Sequence, residues 1–193
     1  MVLAPDTGFR REPPGRTTGQ FGVIVFLASD VMLFAAFFAA YFLLRSTNEP
    51  WPAENADLNT ARDLAATIVL VSSSFTMIAS DRAHDRGDRR SMRMWLIATI
   101  ALGLIFLTNQ IAEFISLDRS YQDNVYGSVF WGLTGLHAMH VTGGICVLSL
   151  LFIRATRSKS LDEVSSWAGG VSMFWHLVDI VWIAVFVTIW IIQ

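Results

Sequence analysis

Residues 23–44 read VIVFLASDVMLFAAFFAAYFLL, 22 positions with a single charge, Asp30. A hydrocarbon core of about 30 Å needs about 20 helical residues at ~1.5 Å each. The stretch therefore predicts a membrane-crossing helix over 20–45. Four further apolar stretches follow, and they predict helices over 62–81, 93–117, 127–154 and 167–192. The expected fold is all-α: an integral membrane bundle of five transmembrane helices over 20–193, preceded by a tail over 1–19.

Composition excludes the alternatives. Of 193 residues, 53% are hydrophobic and only 16% charged, where a soluble domain carries roughly 25%; mean hydropathy is +0.49. No segment between the apolar stretches exceeds about twenty residues, too short to bury a core of its own. The first twenty residues are polar and carry Pro5, Pro13, Pro14 and Gly15. They lack the short apolar region of a cleaved signal, so the first span is expected to be a resident helix. A net charge of −2 predicts no nucleic-acid partner. The one cysteine, Cys146, rules out a disulfide framework, an iron–sulfur centre and a two-cysteine copper site; it is expected to be a small buried hydrophobe. There is no internal repeat, which argues against an inverted-repeat transporter.

Basic residues predict the orientation. Arg10, Arg11 and Arg16, then Arg82, Arg86, Arg89, Arg90 and Arg93, then Arg154, Arg157 and Lys159 lie in segments that share one face and hold 11 of the 14 Lys and Arg. That face is expected to be cytoplasmic, with the N-terminus there and the C-terminus outside. The second span is the marginal one, uninterrupted only over 64–80. Its Ser72, Thr76 and Ser80 fall at i, i+4, i+8, a small polar stripe suited to close helix contact, so this helix is expected to face protein. In the fourth span Gly127, Ser128, Gly132, Gly135, Gly143 and Gly144 make a smooth surface, with Ser128 and Gly132 spaced as a small-xxx-small pair. Tight packing inside the bundle and a docking face for another subunit both fit it.

Six polar groups fall inside the spans: Asp30, Glu113, Asp179, His137, His140 and His176. An aspartate near a helix centre costs about 2.5–3.5 kcal/mol on insertion scales, so each is a candidate site. Spacing predicts that Glu113 and Gln110 on the third helix meet His137 or His140 on the fourth. His176 and Asp179, three residues apart, are expected to form a local pair. Two roles fit these groups: interhelical hydrogen bonds worth roughly 0.6–2 kcal/mol each, or a proton relay. The histidines supply no matched pair at one depth for haem, and no dense ligand cluster for zinc or copper. No metal site and no catalytic nucleophile is expected. The 7 Trp, 14 Phe and 3 Tyr read as packing and interface anchors.

Motifs in a fixed order carry a resemblance. Phe174-Trp175-His176-Leu177-Val178-Asp179-Ile180-Val181-Trp182 is similar to the aromatic-W-H-x-x-D-x-V-W signature of the cytochrome c oxidase subunit III family. Tyr126-Gly127-Ser128-x-Phe130 and Thr134-Gly135-Leu136-His137-Ala138-Met139-His140-Val141 resemble its Y-G-S-x-F and T-G-x-H-x-x-H-V segments. Arg86-Gly87-Asp88-Arg89 and Gln110-Ile111-Ala112-Glu113 match in order and spacing. The resemblance, from about Val23 to the C-terminus, is to the shorter five-helix form, without the first two helices of long members and the lipid-filled cleft they complete. Ser29-Asp30 stands where the family usually reads S-E, a carboxylate one methylene shorter, and Asp there also occurs in relatives serving quinol oxidases.

The resemblance implies an accessory subunit of a proton-pumping terminal oxidase in a bacterial plasma membrane. Such a subunit has no redox centre: haems and copper reside in partner subunits. It packs on subunit I, joins subunit II, contacts membrane lipids and holds a structural phospholipid; a larger respiratory supercomplex is compatible with it. Asp30, Glu113, His137, His140, His176 and Asp179 would be buried polar groups supporting proton uptake. Competing readings are a subunit III-like component of a quinol oxidase or nitric oxide reductase system, and an autonomous proton-coupled transporter.

Overall fold

A computed structural model describes residues 18–48, 51, 60–116, 125–158 and 161–192. Residues 1–17 of the expected tail lie outside the described residues, as does most of the 49–59 loop. Five helices run in order: α1 Thr18–Thr47, α2 Thr60–Asp85, α3 Arg89–Ser116, α4 Val125–Arg157 and α5 Asp162–Phe186, which continues as wider π-helical turns over Val187–Ile191. Each contains a stretch long and apolar enough to cross a membrane. Among the described residues there is no strand.

The helices outlast the expected spans, α2 most clearly: 60–85 against 62–81. Polar side chains mark where a helix leaves the apolar layer, but they do not end it. What ends α2 is Gly87, with φ 73°. The Gly87 N–H donates to His84 O at 2.9 Å and the Asp88 N–H to Ala83 O at 2.9 Å, the paired bonds that close a helix on a left-handed glycine. Asp88 then caps α3, accepting from the Ser91 amide at 3.1 Å and the Ser91 hydroxyl at 2.6 Å. Those bonds hold its carboxyl below the ordinary aspartate range. The Arg86–Arg89 motif is therefore a turn that reverses the chain in three residues. Arg89 also donates to Ser158 O at 2.5 Å, tying this basic turn to the end of α4. Two of the basic segments thus meet at one end of the bundle.

The core is organised around α5. Trp175 is fully buried, its ring wedged between two glycines. A Cβ on Gly103 of α3 would lie 2.8 Å from the indole, and one on Gly144 of α4 also 2.8 Å. The Trp175 N–H donates to Ser73 Oγ of α2 at 2.9 Å. One side chain of α5 thus sets its distance to α2, α3 and α4 together. α1 is peripheral. It turns Asp30, Phe34 and Tyr41 inward toward α4 and α5, and leaves Phe21, Phe26, Met32 and Leu43 exposed.

Three packing expectations change. α2 has an inner and an outer face: Ile68 is 59% and Phe75 67% exposed. Its Thr76 and Ser80 reach α3, at Thr99 Oγ1 (2.8 Å) and Met92 O (3.4 Å), but Ser72 bonds only its own helix at Ile68 O. On α4, Gly132 seats Phe37 of α1, 3.1 Å from where its Cβ would be, whereas Gly135 has nothing within 4 Å and Ser128 lies on the exposed side. Cys146 is exposed on the flank of α4, not buried, because the inward face of that turn belongs to Gly144, Ile145 and Leu148.

These contacts separate glycines that sequence alone treats alike. Gly144→Ala and Gly103→Ala overpack the Trp175 ring and should each cost about 1–3 kcal/mol, read as a lower melting temperature of the purified protein. Gly135→Ala should leave the melting temperature unchanged or raise it slightly.

Candidate functional site

A polar ladder joins α2 to α5. At the basic-turn end Ser172 Oγ donates to Asp81 Oδ2 at 2.5 Å. One turn deeper, Ser74 Oγ contacts His176 Nδ1 at 3.1 Å and also donates to Asp179 Oδ2. Beside it lies the Trp175–Ser73 bond. Deeper still the Trp182 N–H donates to Thr67 Oγ1 at 3.0 Å, and the Trp190 N–H to Asp63 Oδ2 at 3.0 Å. The two serines and Thr67 suit an apolar interior because each hydroxyl accepts from one partner and donates to another; Ser73 donates on to Leu70 O and Thr67 to Asp63 O.

The π-helical turns serve this ladder. The seven-residue step from Trp175 to Trp182 falls about 20° short of two full turns of α-helix, but the eight residues from Trp182 to Trp190 overshoot by about 80°. The wider turns over Val187–Ile191, closed by the Ile192 N–H on Val187 O at 2.9 Å, take up that excess. Trp190 is thereby returned to the α2 side. The same turn offers Thr188 O to the Tyr41 hydroxyl of α1 at 3.3 Å, and Tyr41 accepts from the Trp51 N–H at 3.2 Å.

The six sequence-selected groups divide differently from the expected pairing. His140 faces Asp30 of α1, with Nε2 3.6 Å from Oδ1, while Nδ1 lies 2.8 Å from Leu136 O. A carbonyl only accepts, so Nδ1 carries a proton and Nε2 is the nitrogen turned to the carboxylate. Glu113 meets neither histidine: its carboxyl lies beside that of Asp63 on α2 and within the field of Arg62. Arg62 is itself anchored on Asn109, donating to Oδ1 at 2.7 Å and to the backbone O at 2.8 Å. His137 is fully buried in an aromatic box, 4.7 Å from the Trp182 ring centroid and 5.8 Å from that of Phe106. Neither of its nitrogens has a hydrogen-bond partner among the described residues. His176 and Asp179 are joined through Ser74 and not directly.

Three functional residues escaped the sequence reading: Asp63, Ser74 and Asp81. Asp63, only 2% exposed, sits where a helix end is expected to be wet. Its signal is that Asp63, Thr67, Ser74 and Asp81 follow one another by four and then seven residues, a single face of α2. The stripe at Ser72, Thr76 and Ser80 is centred about 150° away around the helix, and its Thr76 and Ser80 reach α3. Among the described residues no three of His, Cys, Asp and Glu gather in a metal-binding arrangement.

Asp63 is the test of the deep end of the ladder. Asp63→Leu strands the Trp190 N–H and removes the polar neighbour of Glu113 on α2, and should destabilise the protein by about 1–3 kcal/mol. Asp63→Asn keeps an acceptor for Trp190 and supplies a donor for Glu113, and should melt close to the native temperature.

The family model for cytochrome c oxidase subunit III matches residues 14–193. The chain is 40% identical over 178 residues to cytochrome c oxidase subunit 3 of Corynebacterium diphtheriae, covering 89% of this chain and 87% of that one. It is 39% identical over 176 residues to the probable cytochrome c oxidase subunit 3 of Mycobacterium tuberculosis, with the same coverage. Against cytochrome c oxidase subunit 3 of Thermostichus vulcanus the identity is 34% over 172 residues, 89% of this chain and 86% of the relative. With ladder residues such as Trp175, His176, Asp179 and Trp182 lying in the very motif that resembles this family, and the match running from residue 14 to the last, the chain belongs to the cytochrome c oxidase subunit III family.

Proposed function

We propose that this chain is the accessory, redox-centre-free subunit III of a proton-pumping terminal oxidase that passes electrons from cytochrome c to oxygen. The observation that carries this reading is the family match over nearly the whole chain; relatives named for cytochrome c oxidase favour cytochrome c over quinol as donor. In this reading the haems and copper belong to partner subunits, and the chain packs on subunit I, stabilises it and supports proton uptake. Its setting is the plasma membrane of a bacterium, as for its bacterial relatives, with the basic turns cytoplasmic. The exposed apolar side of α1 and the outer faces of α2 and α3 are turned to lipid or to those partners.

An affinity-tagged chain, purified from native membranes in mild detergent, should bring with it a haem-bearing subunit I and a subunit II carrying a two-cysteine copper motif. The chain released from that complex should have no Soret absorbance. Haem in stoichiometric amount on the isolated chain would overturn the reading.

The Asp30–His140 pair is the group best placed to influence proton supply from α1. Asp30→Ala leaves His140 without its charge partner at mid-membrane, but the other residue that α1 wedges against this pair, Phe34, is untouched. Assembly should therefore be near native, while proton pumping falls or activity decays faster during turnover by a factor of about two to ten, equivalent to a loss of roughly 0.5–1.4 kcal/mol. Unchanged pumping and unchanged decay would make Asp30 a structural residue.

A further inference from the structure

The α2/α5 ladder changes character along its length. On the deep side its donors are indoles, which carry one N–H and no acceptor and so cannot pass a proton on. On the basic-turn side, apart from the Trp175–Ser73 rung, every member can both give and take a proton: Asp81, Ser172, His176, Ser74 and Asp179. Ser172 is bonded to Asp81, and Ser74 is bonded to both His176 and Asp179. Ser172 and His176 stand four residues apart on one face of α5, so the two bonded segments follow one another one turn apart along the interface; His176, His84 and Asp85 are the titratable groups in whose field Asp81 lies. Asp81 is half-exposed beside the exposed Arg82 and Asp85, whereas Asp179 is buried and its Oδ1 has no partner among the described residues. From Ser172 to Asp179 the rise is about 10 Å along α5.

We propose that the α2/α5 interface holds a blind proton file, open at Asp81 and closed at Asp179, through which the subunit reversibly binds a proton from the basic-turn face. The Ser74 hydroxyl has one proton, and it is committed to Asp179, so His176 donates from Nδ1 and its Nε2 is free to accept. A proton taken from water at Asp81 moves to Nε2. The Nδ1 proton of the same ring moves to Ser74 Oγ, and the Ser74 proton moves to Asp179. For every N–H or O–H bond broken one forms, one carboxylate is neutralised, and no electron is transferred. Return of the proton reverses each step. Beyond Asp179 the next polar link is the Trp182 N–H on Thr67, a bond that cannot relay, so the file loads without leaking across the membrane.

Infrared spectroscopy of the complex that the tagged chain forms in native membranes tests this. With the file loaded by acidification, Asp179→Asn should remove one protonated-carboxyl band seen in the native protein, and retention of every band would overturn the proposal. Ser74→Thr and Ser74→Val have matched volumes and differ only in the hydroxyl. Deuterium exchange of the Asp179 band should keep its native rate in Ser74→Thr and slow at least about tenfold in Ser74→Val, the loss expected for one hydrogen-bonded step. Equal rates in the two variants would overturn the proposal. Ser72→Ala, whose hydroxyl bonds only Ile68 O, should exchange at the native rate, and slowing to match Ser74→Val would also overturn it. Should Asp179→Asn fail to assemble, the Thr/Val pair decides alone. The proposal rests on the oxidase reading only for the complex in which it is measured: absent haem subunits count against that reading, and equal exchange rates against the file.

Discussion

Trp175 sets the spacing of the bundle. Its indole fills the space that two glycines leave open, Gly103 on α3 and Gly144 on α4, while its N–H is satisfied by Ser73 on α2. In a membrane there is little hydrophobic gain from bringing helices together, so close packing and interhelical hydrogen bonds carry association. Trp175 supplies both in one residue, and it fixes how α5 is rotated. Once that rotation is set, Trp182 one heptad on falls over Thr67, and His176 and Asp179 fall over Ser74.

The consequence is a division of labour among buried polar groups. Where α2 and α5 meet, donors face acceptors, and the hydroxyls of Thr67, Ser73 and Ser74 are each used twice. Where α3 and α4 meet each other and α5, the contact is mostly aromatic: Phe106 of α3 and Trp182 of α5 enclose His137, and Phe114 stacks on Trp131 at 4.2 Å. α1 joins through few inward residues, with Asp30 facing His140 and Tyr41 capping the π-helical end of α5. A helix held by so few contacts keeps most of its apolar surface for lipid or a partner subunit, in keeping with the proposed place of this chain in a larger complex.

Much of this was legible beforehand, and the exceptions have identifiable causes. Spans were legible because the cost of a polar residue in hydrocarbon acts on each helix separately. The inward bias of Asp30, Glu113 and Asp179 was legible for the same reason. Their partners were not. Spacing alone pairs Glu113 with the histidines of the neighbouring helix, but α3 turns it toward Asp63, two turns from Leu70 on the inner face of α2. Ser72, Thr76 and Ser80 made a regular stripe, yet another stripe through Thr67, Ser74 and Asp81 carries the α5 contacts. Cys146 looked like core because its neighbours in sequence are apolar, and in a membrane helix the outward face is apolar too.

By itself the sequence determined that there are five spans, that the basic turns between α2 and α3 and between α4 and α5 lie at one end, and to which family the chain is similar. Each of these is a sum over consecutive residues or a pattern along the chain. Tertiary structure alone decided who meets whom: Asp30 with His140, Glu113 with Asp63, Ser74 with both His176 and Asp179. Those contacts depend on the rotation of each helix about its axis, where one residue's step is about 100°. That angle is set jointly by a tryptophan seated on glycines of two other helices and by wider turns at the end of α5, and no single helix carries the information.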